Sequence, residues 1–347
     1  MTEHEANDVT GEENSAPDGA QDAPNSTSDA DAATGSRATG DDPVSMNTPD
    51  RPFVVVGVDG SEDGMRAVDY GVHEAAALDA DLLLAHAVDD AVLAGAWGVV
   101  YDPGLLQDSG QEAAAAARDR AIATGADPER VRAEVYLGNP AAVISKLSTD
   151  ACTVVVGRRA MGGLERLFVG STSVGIAATS ECPVIVVSAA SHPARTGGLH
   201  TIGVGLDMSS RGQEPLQYAF SEAARRGAKL KIIHSFEVPS GWFSDTSRSD
   251  EKADALRLAA EEESAKLITA CEKDFPGVEY TFEIVRNHPV AELTERSREV
   301  DLLVLGVHGS AFPGFSPGAT ARALMAHSES PLAMVRHAKR SRGAKAD

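Results

Sequence analysis

Short runs of consecutive apolar residues alternate along most of the chain with longer stretches whose apolar positions recur every three or four residues. The apolar runs place strands near 53–58, 82–88, 131–136, 152–156 and 183–187. A second set falls near 201–206, 229–235, 279–285, 301–306 and 331–335. Runs such as "LLLA" and "TVVVG" are apolar on successive residues, which suits strands covered on both faces. Between them Met65, Val68, Val72 and Ala76 keep helical spacing, as do Leu216, Phe220 and Ala223. The pattern predicts an α/β chain in which an open five-stranded parallel sheet, with helices on both faces, occurs twice in a tandem Rossmann-like arrangement.

The two sets are copies of one unit. Asp59 aligns with Asp207 and His86 with His234 at an offset of 148; Pro140 aligns with Pro289 and Gly157 with Gly306 at 149; Pro183 and Pro331 return to 148. The slip between Gly157 and Pro183 locates a one-residue deletion inside a glycine-containing loop of the second copy. The expected organisation is a tail over 1–50, a first domain over 51–189, a linker over 190–200, a second domain over 201–337 and a basic tail over 338–347.

Charge narrows the function classes. Twelve acidic residues and one basic residue fall in residues 1–50, which so carry 11 of the chain's 21 net negative charges. That stretch lacks the apolar content to offset its ordering entropy and is expected to be disordered. The remainder is mildly acidic, without the basic face that displaces counterions from nucleic acid. Three cysteines, without C-x-x-C spacing or neighbouring histidines, indicate neither a disulfide framework nor a zinc site, and Cys152 and Cys182 read as small core residues. No leader opens the chain and no apolar run approaches the ~18 residues of a membrane span, so the expectation is a cytoplasmic protein.

In open parallel sheets, ligands bind beyond the carboxyl ends of the strands where the strand order reverses. Here that crevice is expected between the first and fourth strands, which end at Asp59 and Gly157. Ser61 reads as a helix cap; Asp59 either completes that turn or accepts from an adenine amino group or a ribose hydroxyl. In "VVVGRRAMGGLERLFVGSTS", Gly157, Gly162 and Gly163 either turn the chain or admit a ligand. Gly170, Ser171, Thr172 and Ser173 open a helix whose first amides have no internal partners, which makes either an anion site or an ordinary cap. No Walker A string G-x-x-x-x-G-K-S/T occurs. His308 and His288 are lone histidines without a paired nucleophile or carboxylate, and Trp97 and Tyr101 form either a wall of the crevice or a local apolar plug.

With "VDGS", "GNP", the glycine loop and the "CPV" before the last strand, both copies resemble universal stress protein domains, and the chain resembles tandem members of that family. The resemblance implies an adenine nucleotide alpha hydrolase-like fold and ATP, with or without Mg, as cofactor. Nucleotide-binding members carry G-x2-G-x9-G-S/T; Gly157, Gly170 and Ser171 match it, while Ala160 stands where glycine is expected. Alanine at positive φ costs about 1 kcal/mol. The implied ATP residues of the first copy are Gly57, Val58, Asp59, Ala87, Val156, Gly157, Arg158, Ala160, Gly170, Ser171 and Thr172.

In the second copy Asp207, Gly306, Gly309 and Gly318 survive. Eight residues separate the last two, Ala319 replaces the hydroxyl residue, and Pro313 and Pro317 remove backbone donors. That site is expected to be weak or lost. The reading implied is a stress-response protein in which ATP regulates conformation or contacts with a protein partner, with at most weak hydrolysis. The alternatives are a nucleotide-free interaction protein and a nucleotide-dependent transferase or ligase, whose "HIGH" or "SGG-x-DS" strings are absent. The apolar runs "PVIVV" and "PLAMV" are expected to pair with each other, as a pseudo-dimer, or with a second chain in a homodimer.

Overall fold

The structure is a computed structural model that describes residues 51–89, 103–158, 169–191, 200–208, 212–238, 246–307 and 317–336. All of these lie in one unit that spans Met46–Asp347. Ala160, Arg159, Gly162, Gly163, Gly309, His308, Pro313, Trp97 and Tyr101 lie outside the described residues, as do both tails.

The first half runs β1 (Phe53–Val58), α1 (Glu62–Leu78), β2 (Asp81–Val88), α2 (Pro103–Thr124), β3 (Val131–Leu137), α3 (Pro140–Leu147), β4 (Thr153–Gly157), α4 (Ser171–Thr179) and β5 (Val184–Val187). The second repeats the order: β6 (Thr201–Gly205), α5 (Gln213–Arg226), β7 (Lys229–Phe236), α6 (Thr246–Asp274), β8 (Tyr280–Arg286), α7 (Pro289–Arg296), β9 (Leu302–Val307), α8 (Ala319–His327) and β10 (Leu332–Arg336). The strands form one sheet in the order β3-β2-β1-β4-β5-β10-β9-β6-β7-β8. Each half is parallel throughout, and β1 neighbours both β2 and β4, so the strand order does reverse at β1 and β4.

The halves meet edge to edge. β5 and β10 pair antiparallel, with Val186 opposite Leu332, Ile185 opposite Ala333 and Val184 opposite Met334. Each half thereby covers an apolar edge that would otherwise present unpaired amides and carbonyls. Alternate strand residues feed two cores: Val54, Val56, Leu82 and Leu84 face α1 and α2, while Phe53, Val55 and Leu83 face α3 and α4. The equivalent helices α5 and α6, and α7 and α8, continue the same two layers across the junction.

Two expectations are corrected. Val68 and Val72 are buried, but Ala76 is exposed and Ala75 lies in the core, because steps of four residues outrun the 3.6-residue turn and carry position 76 off the buried face. Cys152 is exposed, because it precedes β4 at the open amino end of the sheet, whereas Cys182 is half-buried and Cys271 buried.

Candidate functional site

The end of β1 is held by a short chain of hydrogen bonds. Asp59 Oδ1 accepts from the Ser61 amide at 3.0 Å and from the Ser61 hydroxyl at 2.6 Å. Ser61 Oγ in turn accepts from the Gly64 amide at 3.0 Å and so caps α1. Gly60 between them has φ +76°, which a side-chain-bearing residue adopts only with strain. His86 Nδ1 donates to the Val58 carbonyl at 2.9 Å, and His234 repeats the bond to Leu206 in the second half. The aligned histidines therefore fix the strand ends that carry Asp59 and Asp207.

Gly157 closes β4 against the start of α1. A Cβ there would lie 2.6 Å from the Asp63 carbonyl carbon and 2.8 Å from the Gly64 nitrogen, so the backbones meet where only glycine fits. Arg158 follows and is buried, yet its guanidinium turns from the crevice: Nη1 donates to the Ala326 carbonyl of the other half at 2.9 Å. α4 then starts at Gly170, which supplies no side-chain cap, and Ser173 Oγ donates back to the Gly157 carbonyl at 2.7 Å.

A cavity of about 180 Å³ lies between these elements, lined by Gly57, Val58, Asp59, Ala87, Val156, Gly157, Gly170 and Thr172 of the implied residues. Ala85, Pro140, Ile144, Ser173 and Ile176 complete the lining. Arg158 and Ser171 are not part of it: the first is drawn to Ala326, and the second is exposed as the first residue of α4. Pro140 was legible in "GNP", where Asn139 caps α3 by accepting from the Ala141 and Ala142 amides.

The second half holds a cavity of about 420 Å³ at the equivalent place. Asp207, Gly306 and Gly318 line it, with Thr320, Ala319, His234, Ser235 and Pro289 among the others. Of these two cavities, as the described residues line them, the second falls within the usual ~300–1,000 Å³ of ligand pockets. Thr320 stands 148 positions after Thr172, and both line their cavities, so the lining hydroxyl survives although Ala319 replaces Ser171. Gly318 caps α8 without a side-chain acceptor, and a Cβ on it would meet open space. His288 has a structural task as the N-cap of α7, where Nδ1 accepts from the Val290 amide at 3.3 Å.

Among the described residues no three His, Cys, Asp or Glu side chains converge to hold a metal ion, and no helix is long and apolar enough to cross a membrane.

The sequence profile of the universal stress protein family matches residues 53–188 and 198–336. Universal stress protein Rv2005c of Mycobacterium tuberculosis is 28% identical over 299 residues, which cover 82% of this chain and 96% of the relative. Universal stress protein Rv2623 of the same organism is 27% identical over 299 residues, with the same coverage. The crystal structure of a universal stress protein from Archaeoglobus fulgidus superposes with a TM-score of 0.60 at 18% identity, over 82% of this chain and 96% of that one, and shares its fold. The chain belongs to the universal stress protein family and carries two tandem domains of it.

Proposed function

We propose that this protein acts in a stress response by binding ATP as a regulatory ligand in the first half, at the crevice between β1, β4 and the start of α4. The observation that carries this reading is the start of α4. Gly170 leaves the first amides of the helix without a side-chain acceptor, and Gly170 and Thr172 both line the cavity. Free amides at the positive end of a helix dipole hold phosphate oxygens. Asp59 spends Oδ1 on Ser61, which leaves Oδ2 to accept from an amino or hydroxyl group, and Ala87, Ile144 and Ile176 supply an apolar wall for a base. Donors, apolar wall and acceptor together suit an adenine nucleotide.

A second reading, in which the second half binds as well, is favoured by its larger cavity and by Thr320. The two separate by stoichiometry: one ATP per chain supports the first, two the second.

The test is equilibrium binding of ATP to the intact chain and two variants. Gly170→Glu places a carboxylate on the amide donors and should abolish binding at the first half, whereas Ala160→Gly restores the family's glycine and should tighten it. An unchanged affinity in both variants would put the nucleotide elsewhere, and purified protein that neither carries nor takes up ATP would favour a nucleotide-free interaction protein.

A further inference from the structure

Glu74 in α1 and Glu222 in α5 are equivalent residues of the two copies, 148 positions apart, and both are buried. A single guanidinium joins them across the junction: Arg226 donates from Nη2 to Glu74 Oε2 at 2.6 Å and from Nε to Glu222 Oε2 at 3.0 Å. Arg225 pairs with Glu222 and stands 3.6 Å from Glu74 Oε1. Tyr70 and Tyr218, another equivalent pair, bury their hydroxyls beside the same groups.

The arginines break the symmetry. Their equivalents in the first copy are Ala77 and Leu78. The first half therefore brings one negative charge to this buried contact, and the second brings one negative and two positive. First against second is neutral. Two first halves would bury a pair of carboxylates with no cation, and two second halves would bring two net positive charges together at the contact. Buried charge without a counter-charge is strongly unfavourable, and such groups are well suited to rejecting wrong partners.

We infer that the Glu74–Glu222–Arg225–Arg226 cluster is a charge key that admits only the second half as partner of the first half's α1 face and rejects pairing of like halves. The strand pairing of β5 with β10 lacks this power, because it joins two short apolar strands through backbone bonds that either copy supplies. The inference is independent of nucleotide binding.

The test moves the charges across the junction in the full-length chain. Arg225→Ala with Arg226→Leu gives both halves the first copy's residues and leaves two buried carboxylates uncompensated. Calorimetry should show a Tm lowered by about 10 °C, and small-angle scattering an increased radius of gyration. Adding Ala77→Arg and Leu78→Arg to that variant restores complementarity with the signs exchanged. It should bring the radius back to the wild-type value and the Tm to within about 3 °C of it. A role confined to α5 predicts no recovery. The inference is overturned if the double variant keeps the wild-type Tm and radius, or if the fourfold variant is no better than the double one. Should the double variant fail to fold, the fourfold variant still decides, since a folded compact chain supports the key and a second failure overturns it.

Discussion

Arg158 at the end of β4 donates from Nη1 to the carbonyl of Ala326, in the last turn of α8, at 2.9 Å across the junction of the two halves. Arg336 in β10 does the converse, donating to the Thr179 and Ser180 carbonyls at the end of α4 at 2.9 and 3.0 Å. Cations on the last carbonyls of a helix complement its dipole as well as satisfying its unpaired acceptors. Arg158 thus ties the wall of the first crevice to the second half. Replacing it with leucine should cost about 2 kcal/mol, the range of a hydrogen bond to a charged donor. Urea denaturation measures the loss, and a variant as stable as wild type would contradict this role.

Gly157→Ala should destabilise more than its single methyl suggests. The added carbon meets backbone atoms of Asp63 and Gly64, which cannot rotate away as a side chain would. Overpacking of this kind costs about 1–3 kcal/mol. The same substitution at Gly318, where a Cβ meets open space, should leave stability within about 0.5 kcal/mol. Denaturation curves of the two variants compare them directly.

The inner parallel strands were legible to within a residue or two because burial on both faces makes them continuous apolar runs, while the half-exposed edge strands β3 and β8 were read from β-branched and aromatic residues. The reversal at β1 and β4 followed from strand order; the apolar last strands marked edges to be paired with each other or with a second chain, and the fold pairs β5 with β10. The helix faces were less so: in α1, where alanines fill 75, 76 and 77, composition does not distinguish the buried Ala75 from the exposed Ala76. The sequence pattern did not single out Glu74, Glu222, Arg225 and Arg226, because the burial of the two glutamates and their pairing with the arginines depend on the packing of one half on the other. In the site, Ser171 and Thr172 were both named from the sequence and Thr172 lines the first cavity, whereas Thr320, its repeat in the second, was not named. Comparing the copies at offset 148 carries the signal that finds Thr320.

Asp69 ties part of the acid stability to its ion pair with Arg120. Burial pushes its carboxyl up, but Arg120 and Thr124 outweigh burial and hold it below the usual carboxylate range. The Arg120 contacts, Nε to Oδ1 and Nη2 to Oδ2, are both 2.6 Å. A lowered carboxylate contributes stability above its unfolded pKa of about 3.9, and that stability is lost as pH falls through the lowered value. Arg120→Gln should therefore be less stable than wild type at pH 7, and the gap should close as the pH falls below about 4. A gap that stays constant with pH would contradict the assignment.

The cysteines should separate by reactivity. Burial pushes the Cys182 thiol up to about 12 and the Cys271 thiol up to about 11, whereas Cys152 is exposed. Because the thiolate is the reacting form, a limiting alkylating agent at pH 8 should mark Cys152 first and the other two only on unfolding. Peptide mass spectrometry reads the order, and early labelling of Cys182 would contradict the burial described.

Isothermal titration of ATP into the intact chain, with the Gly170→Glu chain as control, measures whether the start of α4 and the end of β1 hold a nucleotide. Saturable heat from the wild type, with at least one site per chain lost in the variant, is the expected result; no saturable heat at millimolar ATP would contradict it.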